Sequence, residues 1–306
     1  MTGNLNHGQL PDPICNLSFR AKQADAFSAF PLLRKVGLRR EKSLFASFSS
    51  FAGLRRLRLN LLFRSALLVL TFSLNAQAPT AVPIPKEPHH HLVFENEYVR
   101  VFRVSVAAHE ATLLHQHDVP YLYVALGPAD VINAVQGKPE VHLVMADGQL
   151  GYSRGGFAHI ARNESDAPFN NVTIELLKPQ GEPRNTCAEI VPGASELHCE
   201  SPAAHKGRLL DIVPQFGTGE TWVDLTRVSP EAHNTITITP SLGTLLVILS
   251  GSGIQTEVKG EPEETLHVGD VMWLLAGSHT TFSNSSQEEW SYLSVGFKGS
   301  EALHKY

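Results

Sequence analysis

The chain has 306 residues, 25 of them basic and 30 acidic, for a formal net charge of -5 with histidine neutral. Residues 1–78 hold 11 of the basic and 3 of the acidic residues, which leaves 14 against 27, a net charge of -13, in the remaining 228. So acidic a body disfavours nucleic acid or an anionic membrane as partner, and its length fits one large or two small domains.

The first 78 residues read as a targeting segment. Arg55, Arg56, Arg58 and Arg64 precede the apolar run from Ala66 to Leu74, and Ala76, Gln77 and Ala78 follow it. That is the order of basic region, apolar core and small-residue cleavage site in an export signal. Arg64 limits the apolar run to about ten residues, against the roughly 20 that span a bilayer, so no stable membrane insertion is expected after cleavage. The mature chain is expected in the periplasm or secreted. Residues 1–53 are long for a signal; a start placed too far upstream and a cytoplasmic extension both account for them. Arg39-Arg40 and Arg55-Arg56 leave a twin-arginine route open. An exported setting allows Cys187 and Cys199 to pair, and two free thiols remain the alternative.

From His91 to Leu177 short β-rich runs alternate with turn residues. Leu92 to Phe94, Tyr98 to Val106, Tyr121 to Leu126, Val131 to Val135, Val141 to Ala146, Phe157 to Ile160 and Val172 to Leu177 are expected strands. Gly137-Lys138-Pro139 and Asp147-Gly148 punctuate them. Residues 178–204, with Pro179, Pro183, Pro192, Gly193 and Pro202, read as a linker. A second block of strands follows: Trp222 to Val228, Thr235 to Thr239, Thr244 to Ser250, Ile254 to Val258, Val271 to Leu274 and Tyr292 to Phe297. No helical stripe competes, so the chain is expected to be all-β, and the two blocks form an internal repeat of roughly 100 residues. The expected organisation is an N-terminal extension with signal over 1–78, one barrel over 79–177, the linker 178–204 and a second, degenerate barrel over 205–300.

Over residues 91–300 the repeat and its Gly/His spacing resemble the cupin family, in its two-domain form. The family's first motif is Gly, five residues, His-x-His, three or four residues, Glu, six residues, Gly. Here His115-Gln116-His117 match, His109 stands at the Gly, Tyr121 or Leu122 at the Glu, and Gly127 near the closing Gly. In the second motif Gly148, Gly156, His159 and Asn163 match in spacing, while Arg154 replaces a Pro. In the second block Ala232, Ile238 and Pro240 take the places of the Gly and both His, and His279 lies one residue short of the ligand position. The resemblance implies two tandem jelly-roll barrels, the second free of metal.

Alternation along an extended strand puts His115 and His117 on one face, and His159 would arrive from a sequence-distant strand. Neutral imidazole suits Zn, Cu, Fe and Ni, and one divalent transition metal per chain is expected, with Fe, Mn, Zn, Ni and Cu all left open. Hydrogen-bond partners for the far ring nitrogens are sought among Glu110, Asp118, Tyr121 and Tyr123. Tyr121, Tyr123 and Arg154 are candidate contacts to a small-molecule substrate or ligand. The run His89-His90-His91, near the expected mature terminus, reads as a solvated or weakly chelating stretch. An oxidoreductase of dioxygenase type acting on a small organic substrate is the leading reading; a non-catalytic binding protein with a structural metal is the rival. Self-association is left open.

Overall fold

A computed structural model describes residues 80–192, 194, 199, 209–230, 235–258, 263–286 and 288–300. All of them belong to one compact unit, Ser73–Tyr306; the arginine-rich and apolar stretch over 55–78 lies outside the described residues. The elements are β1 (Val82–Pro83), a 3-10 turn (Ile84–Lys86), β2 (His90–Glu95), β3 (Val99–Val106), β4 (His115–His117), β5 (Tyr121–Ala125), β6 (Ala129–Val135), β7 (Val141–Met145), β8 (Leu150–Ser153), β9 (Phe157–Asn163) and β10 (Phe169–Leu176). There follow β11 (Arg184–Asn185), β12 (Leu210–Gly217), β13 (Thr221–Val228), β14 (Ile236–Ile238), β15 (Thr244–Ser250), β16 (Ile254–Val258), β17 (Glu264–Leu266), β18 (Val271–Leu274), β19 (Thr280–Asn284) and β20 (Trp290–Phe297). The expected all-β character is met. Among the described residues no helix is long and apolar enough to cross a membrane.

Four sheets form, in the orders β1-β4-β9-β6-β7, β2-β3-β10-β5-β8, β11-β12-β13-β20-β15-β18 and β14-β19-β16-β17. Adding ten to each strand number from β2 to β10 carries the first two sheets onto the last two. The repeat extends to irregularities: the bulge in β2 between Leu92 and Phe94, opposite β3, recurs in β12 between Pro214 and Phe216, opposite β13. The stretch read as a linker supplies β11, which pairs with β12, and Cys187 is disulfide-bonded to Cys199.

Period-two alternation sends the two faces of each central strand to different cores. In β5, Leu122 and Val124 join Val99, Val101, Val172, Ile174 and Leu176 in a cluster shared with Val223, Leu245, Val247, Leu293, Val295 and Phe297 of the second half. The two inner sheets therefore pack back to back. Burying a Val, Leu or Ile side chain there contributes about 1.5–3 kcal/mol. Trp273 stacks on Phe94 and Tyr98 at 6.0 and 5.8 Å, and Arg103 reaches Asp270 at 3.2 Å, extending the junction. The opposite faces line two separate interiors. One holds Phe102, Val104, Val106, Val131, Met145 and Phe169; the other holds Ile248, Ile254, Leu266, Phe282, Trp290 and Tyr292.

Candidate metal centre

The first interior opens into a cavity of about 80 Å³. Its wall is apolar at Val104, Leu143, Met145 and Phe169 and polar at Thr112, Asn133, Asn171 and Thr173, with His90, His115, His117 and His159 grouped together. Strand register makes the group. β4 and β9 pair so that His115 lies opposite His159 and His117 opposite Phe157. Ring centroids are 4.4 Å apart for His115 and His159, 5.0 Å for His115 and His117, and 5.1 Å for His117 and His159.

Each of two histidines has its tautomer set by an acceptor behind it. His115 Nδ1 donates to the Leu113 carbonyl at 2.9 Å, and His159 Nδ1 to Asn133 Oδ1 at 2.6 Å. Both rings therefore turn an Nε2 lone pair inward, and neither of these nitrogens has a hydrogen-bond partner; nor has His117 Nδ1. An unpartnered buried polar atom costs about 1–3 kcal/mol, so three at one place call for a partner, and the two fixed Nε2 lone pairs fit one that accepts lone pairs. Burial pushes the three imidazoles down from 6.5, with their neighbouring histidines adding to the effect: His115 to about 4, His117 to about 2 and His159 to about 3. Neutral imidazole is the metal-binding form.

His90 departs from the sequence expectation. It is 8% exposed, and its ring lies 4.7 Å from that of His115, while His91 on the same strand points to solvent. One ring nitrogen from each of the buried residues His90, His115 and His117 lies within 4.8 Å of the others, a set that can hold a metal ion and that differs from the expected trio in having His90 where His159 was expected. His90 sits in because the edge strand β2 pairs with β3, putting His90 opposite Val104 on the cavity face. The sequence carried one overlooked signal, Glu87 three residues before His90. The turn Ile84–Lys86 buries this carboxylate, which accepts from the backbone N–H groups of His89 and Leu113 and from His89 Nδ1 and His90 Nδ1. Burial alone would raise the Glu87 carboxyl, but these hydrogen bonds outweigh it and hold it at about 2.

The groups behind the rings are thus Leu113, Asn133 and Glu87, rather than Glu110, Asp118, Tyr121 or Tyr123. Tyr121 stacks on His117 at 4.1 Å with an interplanar angle of 22°. Tyr121 and Tyr123 both line the cavity, and burial raises both hydroxyls, which keeps them protonated. Arg154 lies outside the cavity wall, largely exposed, with its guanidinium on Glu182 at 2.7 Å. His109 is the one non-glycine residue with positive φ among those described, at 60°. That is the left-handed backbone for which the motif uses glycine. Asn163 Nδ2 donates to the carbonyls of Val106, Ala107 and Ala167 while its Oδ1 accepts from Ser165. Asn284 ties β19 to its own turn through Ser286 and Glu288 in the second half.

Paired sheets in repeated strand order, a His-x-His strand beside the strand of the second motif, and this closing asparagine combine in one architecture. The fold is that of a two-barrel cupin. Solved structures similar to this chain include AerE from Microcystis aeruginosa, at 11% identity and TM-score 0.47 over 69% of this chain and 98% of that one. Salicylate 1,2-dioxygenase from Pseudoaminobacter salicylatoxidans, as an adduct with gentisate, is similar at 12% identity and TM-score 0.48, over 76% of this chain and 79% of that one. A cupin 2 conserved barrel domain protein from Leptotrichia buccalis is similar at 8% identity and TM-score 0.43, over 68% of this chain and 88% of that one. No family model and no curated protein sequence matches the chain.

Proposed function

We propose that the first cupin barrel is a metal centre for a small organic ligand, with His115, His117 and His159 as ligands and one divalent transition metal per chain. The observation that carries this reading is the convergence of three partnerless ring nitrogens, two with tautomers set by Leu113 and Asn133, on one cavity. Bound there, the metal supplies Lewis acidity or redox chemistry at its open coordination positions. Among the described residues no Lys, Arg, Asp or Glu side chain lines the cavity, so a metal held by the histidines would supply the charge that anchors the ligand, and Asn171, Thr173 and Tyr123 are placed to orient it. The leading activity is that of a dioxygenase-like oxidoreductase. The small cavity and the absence of a spare acid or base in its wall favour the second reading, a non-catalytic binding module.

Elemental analysis of tag-free protein purified without added metal tests the centre. The expected result is one equivalent in the wild type, lost in H115A and H159A and kept in H279A, since His279 is exposed in the second barrel on Thr239. Metal retained at wild-type stoichiometry in H115A overturns it. Oxygen uptake on a panel of small metabolites separates the oxidoreductase from the binding module. The proposal includes export: protein recovered outside the cytoplasm is expected to begin near Pro79, and a soluble cytoplasmic chain retaining Met1 would reject that part.

A further inference from the structure

We infer that His90 is a fourth imidazole ligand of this centre, held in its coordinating tautomer by Glu87, and that it replaces the acidic ligand absent from the His-x-His motif. The inference rests on the metal-centre reading above. Its first support is position: the His90 ring is 4.7 Å from His115 and 6.2 Å from His117, with a ring nitrogen inside the 4.8 Å set.

The second support is proton placement. Glu87 accepts two backbone N–H donors, His89 N at 2.8 Å and Leu113 N at 3.1 Å, which a carboxylate satisfies without giving up a proton. His90 Nδ1, 2.6 Å from Glu87 Oε2, is therefore the donor in that bond, which makes Nε2 the nitrogen that faces away from Glu87 and would bind a metal. A carboxylate behind a ring raises the basicity of the opposite nitrogen and fixes the ring's orientation. Glu87 also places one negative charge directly behind a shell of otherwise neutral ligands, which offsets part of the charge of a buried dication.

The third support is the residue at the motif's acidic position. Tyr121 lies flat against His117 and its hydroxyl is hydrogen-bonded to Ser153, so it is committed elsewhere. The second barrel supplies an internal comparison. Register carries His115 onto Ile238, paired with Thr280 as His115 is with His159, and carries His90 onto Ile212, opposite Thr226 as His90 is opposite Val104. The barrel without the His-x-His pair also lacks the histidine on the edge strand.

The test uses the full mature chain, tag-free and loaded with Cu(II) alone. Pulsed electron paramagnetic resonance counts coordinated imidazoles, and competition with a chelator gives the affinity. Four imidazoles are expected in the wild type and three in H90A, with weaker binding. E87Q preserves the shape of the side chain and should lower affinity by about 10–100-fold. An unchanged imidazole count with unchanged affinity in H90A overturns the inference. Should H90A fail to fold, unchanged affinity in E87Q overturns it instead. The parent reading fails separately, through H115A: wild-type copper binding in H115A sinks the centre itself, whereas loss in H115A with no change in H90A sinks only the fourth ligand.

Discussion

The two barrels share a frame and differ inside it. Both have the same strand order, the same bulge position in the edge strand and an asparagine closing the equivalent turn. Inside, register carries His115 and His159 onto Ile238 and Thr280, Asn171 onto Tyr292, and Tyr123 onto Leu246. Where the first barrel keeps a polar cavity, the second is filled by Phe282, Trp290 and Tyr292. Backbone hydrogen bonding is indifferent to which of these interiors it encloses. Side-chain volume and polarity decide whether a jelly roll is a site or a support, and the second barrel's outer face completes the shared core of the first.

The largest expected effect that sharpens this contrast is pH. In chelator-treated protein, folding lowers His115, His117 and His159 to about 4, 2 and 3 from 6.5. As pH falls through 6.5 the unfolded chain takes up these protons and the native chain does not. Stability is therefore full above that pH and is lost as pH falls below it, by up to about 1.4 kcal/mol per pH unit for each histidine. Urea midpoints compared at about pH 7.5 and about pH 5 should show the drop, and H115Q/H117Q/H159Q should flatten it. A slope unchanged in that triple variant would place the titration elsewhere, since the second interior holds no histidine among its described core residues.

Next in size is the attempt to carve the second interior into the first. Y292N introduces the residue that stands at the equivalent place in β10. Because Tyr292 is buried among Trp290 and Leu246, it should cost about 3–5 kcal/mol, as other large truncations do, measured by urea denaturation. A loss below about 1 kcal/mol would show that this interior tolerates a cavity and that its filling is incidental.

The smallest effect concerns the frame. His109 occupies a left-handed conformation, and among the described residues its side chain is paired with the exposed Asp166. H109G should raise stability by up to about 1 kcal/mol, while β-branched H109V should lower it, with metal stoichiometry unchanged in both. Loss of metal in H109G would tie this turn to the site instead.

The amino-acid sequence by itself determined the strand-rich halves, their repetition, and the shared face of His115 and His117, because these follow from local alternation and turn chemistry that each segment carries within a few residues. The closing Asn163 and the turn at His109 were legible for the same reason, as positions in a spaced motif. Only the tertiary structure decided that Cys187 meets Cys199, that the two inner sheets lie back to back, and that His90 joins the site while its neighbour His91 faces solvent. Those outcomes depend on which strand lies beside which. The partners of the rings, Glu87, Leu113 and Asn133, are brought to His90, His115 and His159 by strand pairing and turn geometry rather than by any pattern within one segment. A one-residue change in the pairing of β2 with β3 would turn His90 outward, and no run of three histidines read alone distinguishes the two.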